Sequence, residues 1–468
     1  MITIGYSTKK INPEFRDYIE KSCGVHKVEV IPFENPGTHS LSEVYNIILE
    51  KANNDIVVLC HDDLYFEKKN WGNKVLKHFK RNPEYGILGV AGTKFFPKSA
   101  RWWEITEEML GIVNHQQDEK KWTNQYSESK GSKLDDTVIV DGLFIALDKT
   151  KIKHKFDESF DGFHFYDLGF SFKNFISGVK IGVFYDVRIT HLSIGQTNDK
   201  WENNRLKFLS MYEDKLPILL PTKFNKKPIK KGEPLVTLAM PIYNYAKRLN
   251  PTLQSVYNQD YTNFEITLVN DGSDDQYCLM KLDSLEGQEG VRIIHKENTG
   301  VSDTRNVAVR EGKGEYILPL DADDMIHPGY LKTGVNIIKK NPKISPVYCD
   351  TVHVGEMQGL EKRPEWSKER LLQGPFIVNS SMYSREAYES IEGYNTEMKG
   401  WVDYDLWVQM MDAGFIGKRI PKGLFIYYHH ESEGKGSVST SARQNMGELH
   451  KTVLERHNKR KIKQYSEK

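Results

Sequence analysis

At 468 residues the chain is long enough for two or three ordinary domains, each with its own core, and far too long for a disulfide-stapled scaffold. Its 65 Lys and Arg against 64 Asp and Glu leave a formal charge of +1, which gives no overall bias toward nucleic acid or an acidic membrane. Apolar residues make up 38% and aromatics 11%, and no apolar run approaches the roughly 20 residues of a bilayer span. The chain opens on Ile2-Thr3-Ile4-Gly5-Tyr6, which predicts a short strand rather than a secretion signal. Cys23, Cys60, Cys278 and Cys349 are scattered, with no C-x-x-C pair, so a reducing cytoplasm is the expected location.

A turn at Phe33-Glu34-Asn35-Pro36-Gly37 precedes Ser42-Glu43-Val44-Tyr45-Asn46, which opens a helix-like stretch. Asp55-Ile56-Val57-Val58-Leu59 then leads as a strand into His61-Asp62-Asp63. Further on, Phe156 to Asp161 and Gly162-Phe163-His164-Phe165-Tyr166-Asp167 gather carboxylates among aromatics, and His191 lies 24 residues beyond Asp167. Between 206 and 232, Pro217, Pro221 and Pro228 alternate with Lys223, Lys226, Lys227, Lys230 and Lys231, the composition of a connector. It divides the chain into domains at 1–205 and 233–445, with a basic tail at 446–468 expected to be a solvated helix or a frayed end.

The second domain starts afresh with the strand-like Leu235 to Pro241. Asn270-Asp271-Gly272-Ser273 follows the next strand and, taken alone, is a tight turn. Asp321-Ala322-Asp323-Asp324 ends another strand-like run, and its carboxylates repel one another unless cations or donors neutralise them. Such hard oxygens suit Mg²⁺ or Mn²⁺ shared with substrate phosphates. Trp401-Val402-Asp403-Tyr404-Asp405-Leu406-Trp407 sets two carboxylates among aromatics, where burial raises a pKa toward a value useful for a general base; either Asp would also serve as a helix N-cap. His429-His430, ahead of the Gly/Ser-rich Glu433-Gly434-Lys435-Gly436-Ser437, offers imidazole nitrogen to a metal.

The two halves repeat. Ser42-Glu43-Val44-Tyr45-Asn46, a helical stretch, a strand and His61-Asp62-Asp63 lie without a gap on Ser302-Asp303-Thr304-Arg305-Asn306, a similar stretch and Asp321-Ala322-Asp323. In this register Asn46 meets Asn306, Asp63 meets Asp323, and His61 replaces Asp321. Tyr166-Asp167-Leu168 answers Tyr404-Asp405-Leu406, with His191 and His429 each 24 residues beyond their Asp. Strands alternating with amphipathic segments predict α/β domains with a largely parallel sheet, in which ligands bind at the carboxyl ends of strands. Both acidic clusters lie there.

With Pro241-Ile242-Tyr243-Asn244, Asn270-Asp271-Gly272-Ser273, Asn298-Thr299-Gly300, Arg305-Asn306, Asp321-Ala322-Asp323-Asp324 and Asp403-Tyr404-Asp405-Leu406-Trp407 in this order, residues 233–440 resemble a family 2 glycosyltransferase of the GT-A fold. Residues 1–200 resemble the same superfamily more distantly. The resemblance implies two tandem GT-A domains, Rossmann-like with a mixed, mostly parallel sheet, and inverting sugar transfer from a nucleotide diphosphate donor, expected to be a UDP-sugar. It implies that Pro241, Tyr243, Asp271 and Arg305 bind the nucleotide and that Asp321 and Asp323 hold the diphosphate and Mn²⁺ or Mg²⁺. Asp403 is the implied base, Asp405 the fallback, and His429 or His430 the late metal ligand. In the first half the same roles fall to His61, Asp63 and His191 for metal and to Asp167 as base. Tyr45 stands where the second half has Arg305, and Phe165 where it has Asp403, so donor recognition differs.

The expected function is a bifunctional glycosyltransferase that extends a glycan such as a surface polysaccharide, with no transmembrane segment and with peripheral membrane association left open. Three alternatives remain at this level: transfer to a modified base in phage-type DNA, for which the basic connector and tail speak; a first half that binds carbohydrate without catalysing; and nucleotidyl transfer onto a sugar phosphate.

Overall fold

Residues Met1–Pro221 and Thr222–Lys468 fold as separate units. The computed structural model describes every residue except 128–132, 194, 196, 430–444 and 467–468. In the first unit a seven-stranded sheet runs in the order Leu134–Asp136, Lys180–Phe184, Tyr85–Gly89, Phe144–Asp148, Ile56–Cys60, Ile2–Thr8, Val28–Glu34. Ile2–Thr8 pairs in parallel with both of its neighbours, whereas Phe144–Asp148 is antiparallel to both of its own. The central strands are almost wholly apolar because helices cover them. Leu41–Lys51 is one such helix: a capping box between Ser40 and Glu43 starts it, and Val44, Tyr45 and Ile48 bury with Val57 and Leu59. A smaller sheet sets Leu64–Phe66, Ile189–His191, Met109–Gln117 and Lys120–Gln125 side by side.

The second unit has a five-stranded sheet in the order Val291–Lys296, Phe264–Asp271, Val236–Ile242, Tyr316–Pro319, Tyr383–Ser384, parallel except for the last strand. Its smaller sheet is Met325–Ile326, Ile416–His429, Ile344–Gly355 and Gly359–Glu361. The two units are thus mixed α/β folds, built on one plan. The largely parallel character holds for the second unit, while the first has as many antiparallel as parallel pairings in its main sheet.

The repeat is physical as well as textual. Asn46 donates to the carbonyl of Phe156 and accepts from its N–H, both at 3.0 Å; Asn306 does the same with Tyr394, both at 2.8 Å. After this staple the units differ by two residues, since Phe156 to Phe165 spans nine positions and Tyr394 to Trp401 seven. Phe165 (φ 62°) and Trp401 (φ 51°) each precede an eleven-residue helix, Tyr166–Ile176 and Val402–Asp412, from the left-handed region. The helices therefore match with Asp167 on Asp403, not on Asp405, and Phe165 corresponds to Trp401 rather than to Asp403.

The connector, and the tail expected as a solvated helix or a frayed end, are both packed. Residues 206–221 belong to the first unit: Phe208 is fully buried, and Ile218–Leu219 pairs with Phe95–Phe96. Residues 222–232 belong to the second, where Phe224 stacks on Tyr257, Lys226 donates to the carbonyl of Phe264, and Lys227 to those of Asn258 and Gln259. Those lysines are committed to backbone carbonyls, which weakens the case for a nucleic-acid acceptor. The tail is the helix Met446–Ser466, anchored by buried Val453 and by ion pairs from Arg456 and Arg460. No helix among the described residues is long and apolar enough to cross a membrane.

Candidate active sites

In the second unit the carboxyl ends of three parallel strands converge. Pro241 lies near the end of Val236–Ile242, and Tyr243 just beyond it is half exposed. Asn244 ties this end to the next turn by accepting from the N–H groups of Asp274 and Asp275. Asp271 is buried and accepts from Lys296 Nζ (2.6 Å), Thr299 N–H (3.0 Å) and Gly300 N–H (3.0 Å). Burial alone would raise its pKa, but these donors hold it below the ordinary value. Gly272 (φ 71°) makes the turn possible: a Cβ there would stand 2.7 Å from the backbone nitrogen of Asn298.

Arg305, buried on the helix Val301–Glu311, donates to Asp321 Oδ1 at 2.7 Å and sits 5.8 Å from the ring centre of Tyr394. Asp403 is at the second position of its helix, half-buried. Burial raises its carboxyl pKa, Arg305 opposes this, and the Asp321 carboxylate adds to the rise. Asp324, which the sequence pattern left without a role, is 3% exposed, accepts from the N–H of Tyr428 and is pushed well up by burial with Asp323 and Asp321 beside it. Through Tyr428 it links the acidic loop to the smaller sheet.

Two sequence-predicted residues take other places. Asp405, the fallback base, is completely buried; it accepts from Gln409 at 2.8 Å and from Arg456 at 3.2 Å, and so anchors the C-terminal helix. His429 Nε2 faces His353 Nδ1 at 2.7 Å, and the other nitrogen of His353 meets Glu361. Strand pairing explains the displacement. Counting from Asp63 on Asp323, Thr190 opposite Tyr65 matches Ile426 opposite Met325, so the counterpart of His191 is Tyr427 rather than His429. His430 lies outside the described residues.

The first unit brings its candidates together. Ligand atoms of His61, Asp63 and His191 all lie within 4.8 Å of one another, the one such cluster of three among the described residues. His191 Nε2 is 3.4 Å and His61 Nδ1 3.8 Å from Asp63 Oδ1, which is buried without a hydrogen-bond partner. Burial favours the neutral form of Asp63, but His191 outweighs it and the carboxyl stays ionised well below its ordinary pKa. Burial and His191 lower the pKa of His61, which keeps its imidazole available as a ligand. A buried carboxylate oxygen set between two imidazoles fits a divalent ion, and the mixed nitrogen and oxygen set suits a transition metal better than Mg²⁺. In the second unit the described residues bring no third ligand to Asp321 and Asp323.

His61 Nε2 also meets the hydroxyl of Tyr166 at 2.9 Å, which places the cluster beside Asp167. Asp167 accepts from the N–H of Gly142 at 2.8 Å. Burial, reinforced by the nearby Asp141, pushes it up to about 7 against the backbone donors of Leu168 and Gly142. Gly142 is required for this approach, because a Cβ would meet the Tyr166 hydroxyl at 2.1 Å and the Asp167 Cβ at 2.8 Å. Gly142, Asp141 and Lys296 carried no motif in the sequence. Tyr166 had a signal, as the first residue of the Tyr-Asp-Leu triplet that recurs at Tyr404.

Residues 19–214 match the model of a family described as "Glycosyltransferase like family", and residues 237–391 that of "Glycosyl transferase family 2". Among similar proteins, a chondroitin synthase of Pasteurella multocida is 27% identical over 270 residues, 55% of this chain and 28% of that one. A chondroitin synthase of Escherichia coli is 28% identical over 188 residues, 39% of this chain and 27% of that one. A hyaluronan synthase of Pasteurella multocida is 30% identical over 186 residues, 39% of this chain and 19% of that one. The chain thus matches less than a third of the length of these relatives. Among solved structures, S. aureus TarS 1–349 in complex with UDP-GlcNAc aligns with a TM-score of 0.38 at 20% identity, over 44% of this chain and 62% of that one. The acidic strand ends, the repeated Asn staple and the two family matches agree: the chain carries two tandem units, the first similar to a glycosyltransferase-like family and the second to glycosyl transferase family 2.

Proposed function

We propose that the chain is a bifunctional glycosyltransferase that adds sugars from nucleotide diphosphate donors, UDP-sugars in the first instance, to a growing surface polysaccharide, with inversion at each transfer. The observation that carries this reading is the same carboxylate in both units, Asp167 and Asp403, at the second position of matching helices, with its pKa raised and with the acidic strand-end loop beside it. Chondroitin and hyaluronan synthases among the relatives support a glycan acceptor.

In the second unit Pro241, Tyr243 and Asp271 bind the nucleoside, with Lys296 keeping Asp271 ionised, and Arg305 orients Asp321 toward the diphosphate. Asp403 takes the proton from the acceptor hydroxyl as its oxygen attacks the anomeric carbon. In the first unit Asp167 is the base, and His61, Asp63 and His191 hold the divalent ion. A cation bound there would stabilise the leaving diphosphate as a Lewis acid. Asp323 is the anchor for the ion in the second unit.

The test is a panel of nucleotide sugars with Mn²⁺ and chondroitin or hyaluronan oligosaccharide acceptors, assayed for nucleoside diphosphate release. Asp63→Ala is expected to abolish turnover of one donor and Asp323→Ala that of another. Full turnover of every accepted donor by both variants would refute the two-site reading.

A further inference from the structure

The smaller sheet of the first unit carries an open groove of about 780 Å³ that the transfer chemistry does not use. Strand pairing sets Tyr65, Thr190, Asn114 and Thr123 in one row across four strands. Gln116 and Lys121 continue the same face one step on, with Leu192 two residues beyond Thr190. Alternation turns His191 away from this row, while His115 and Trp122, stacked on each other with ring centres 5.2 Å apart, also line the groove. Thr190 and Leu192 flank His191 in sequence, so the groove begins one residue from a member of the metal-binding cluster.

The groove has a built floor. Tyr65 is 54% exposed, and its ring stacks on Tyr18 with centroids 5.4 Å apart and planes 11° from parallel, which holds it as a fixed aromatic plate. Asn114 donates to Glu67 and accepts from the Thr123 hydroxyl at 2.6 Å, while Thr190 donates to Glu67 at 3.5 Å. An amide, a carboxylate and two hydroxyls are thereby oriented along a strip beside the ring. A protein partner would ask for a dry apolar centre, and a nucleic acid for several cations. The strip instead offers one exposed aromatic, ordered hydrogen-bonding groups, and Lys121 offset by Glu67. That combination matches a saccharide, whose C–H faces pack on an aromatic ring while its hydroxyls meet planar amides and carboxylates.

We infer that this groove is a binding site for an oligosaccharide, which holds the acceptor chain at sugars remote from the reacting hydroxyl. The inference rests on the glycan-transfer reading for its biological use, but its binding step does not require that reading. Remote contacts of this kind would raise affinity for long acceptors without touching the chemistry at Asp167.

The test is titration of the full chain, in EDTA and without donor, with a panel of short and long chondroitin, hyaluronan and N-acetylglucosamine oligosaccharides, read by calorimetry. At least one long oligosaccharide is expected to bind, at least tenfold more weakly to Tyr65→Ala and to Asn114→Ala, with Gln116→Ala as a third, milder variant. In turnover, Tyr65→Ala is expected to raise KM for the long acceptor several-fold and to leave kcat and the KM of the shortest acceptor unchanged. No binding by any member of the panel, or equal binding by wild type and all three folded variants, overturns the groove assignment. If transfer itself is absent but the variants weaken binding, the groove stands and the catalytic reading falls.

Discussion

Asp167 and Asp403 are carboxylates made more basic by where they sit. A general base works best when its pKa lies near the operating pH, and burial with Asp141 brings Asp167 to about 7. Transfer by the first unit is therefore expected to rise from pH 5.5 to 8 with a midpoint near pH 7, measured as kcat/KM for its donor. The same shift has a stability consequence of opposite sign. The folded value stands above the ordinary 3.8, so the contribution of Asp167 to folding is complete below that pH and is lost as pH rises through 7. Asp167→Asn, neutral throughout, is expected to abolish the transfer and yet to unfold at higher temperature than wild type at pH 8, with no such gain at pH 3. Gly142→Ala should weaken the same transfer by a factor of ten or more, because its methyl would displace either Tyr166 or the base.

At the scale of elements, the helix Val402–Asp412 carries three acids with separate jobs, Asp403 turned to the strand ends and Asp405 and Asp412 to the C-terminal helix. Removing wholly buried Asp405 takes away the contacts of Arg456 and Gln409 but leaves Arg456 with Glu392 and Arg460 with Asp412, so the cost lies at the low end for a buried pair, about 3 kcal/mol. Asp405→Ala is thus expected to lower the stability of the second unit by about that amount in urea unfolding. Asp403→Asn should leave the unfolding midpoint nearly unchanged and remove the second donor activity. Equal effects of the two substitutions on stability would contradict this division. The sequence pattern pairs Asp167 with Asp405 because Tyr-Asp-Leu recurs at both places, and that triplet is misleading. The matched features are the left-handed aromatic residues Phe165 and Trp401, a backbone conformation that no residue type announces unless it is glycine or asparagine.

For the whole molecule, each half has its own sheets, its own core clusters and its own strand-end site. Chains cut between Pro221 and Thr222 are expected to give two fragments that each unfold cooperatively, and each to release nucleoside diphosphate from its own donor only. A fragment lacking residues 213–221 should be less stable, since Leu216 and the Ile218–Leu219 strand complete the first core.

Much of this protein is determined by local sequence. The two-unit plan, the alternation of strands and helices, the Asn46 and Asn306 repeat and the acidic loops after apolar strands all follow from periodicity and turn chemistry, which act over a few residues. The metal-ligand candidates His61, Asp63 and His191 were legible because two of them share one acidic loop, a single residue apart, and the third stands 24 residues beyond Asp167, as His429 does beyond Asp405. What needed the tertiary structure are relations across sheets: His191 answering Tyr427 rather than His429, Gly142 feeding a backbone N–H to Asp167, Lys296 fixing Asp271, and Asp405 held by Arg456 from 51 residues away. The tail is the helix expected of it, but its packing and that of the connector were hidden for the same reason. Proline and lysine mark a segment as polar and irregular, but whether its few apolar side chains find a core is decided by the surfaces that meet it.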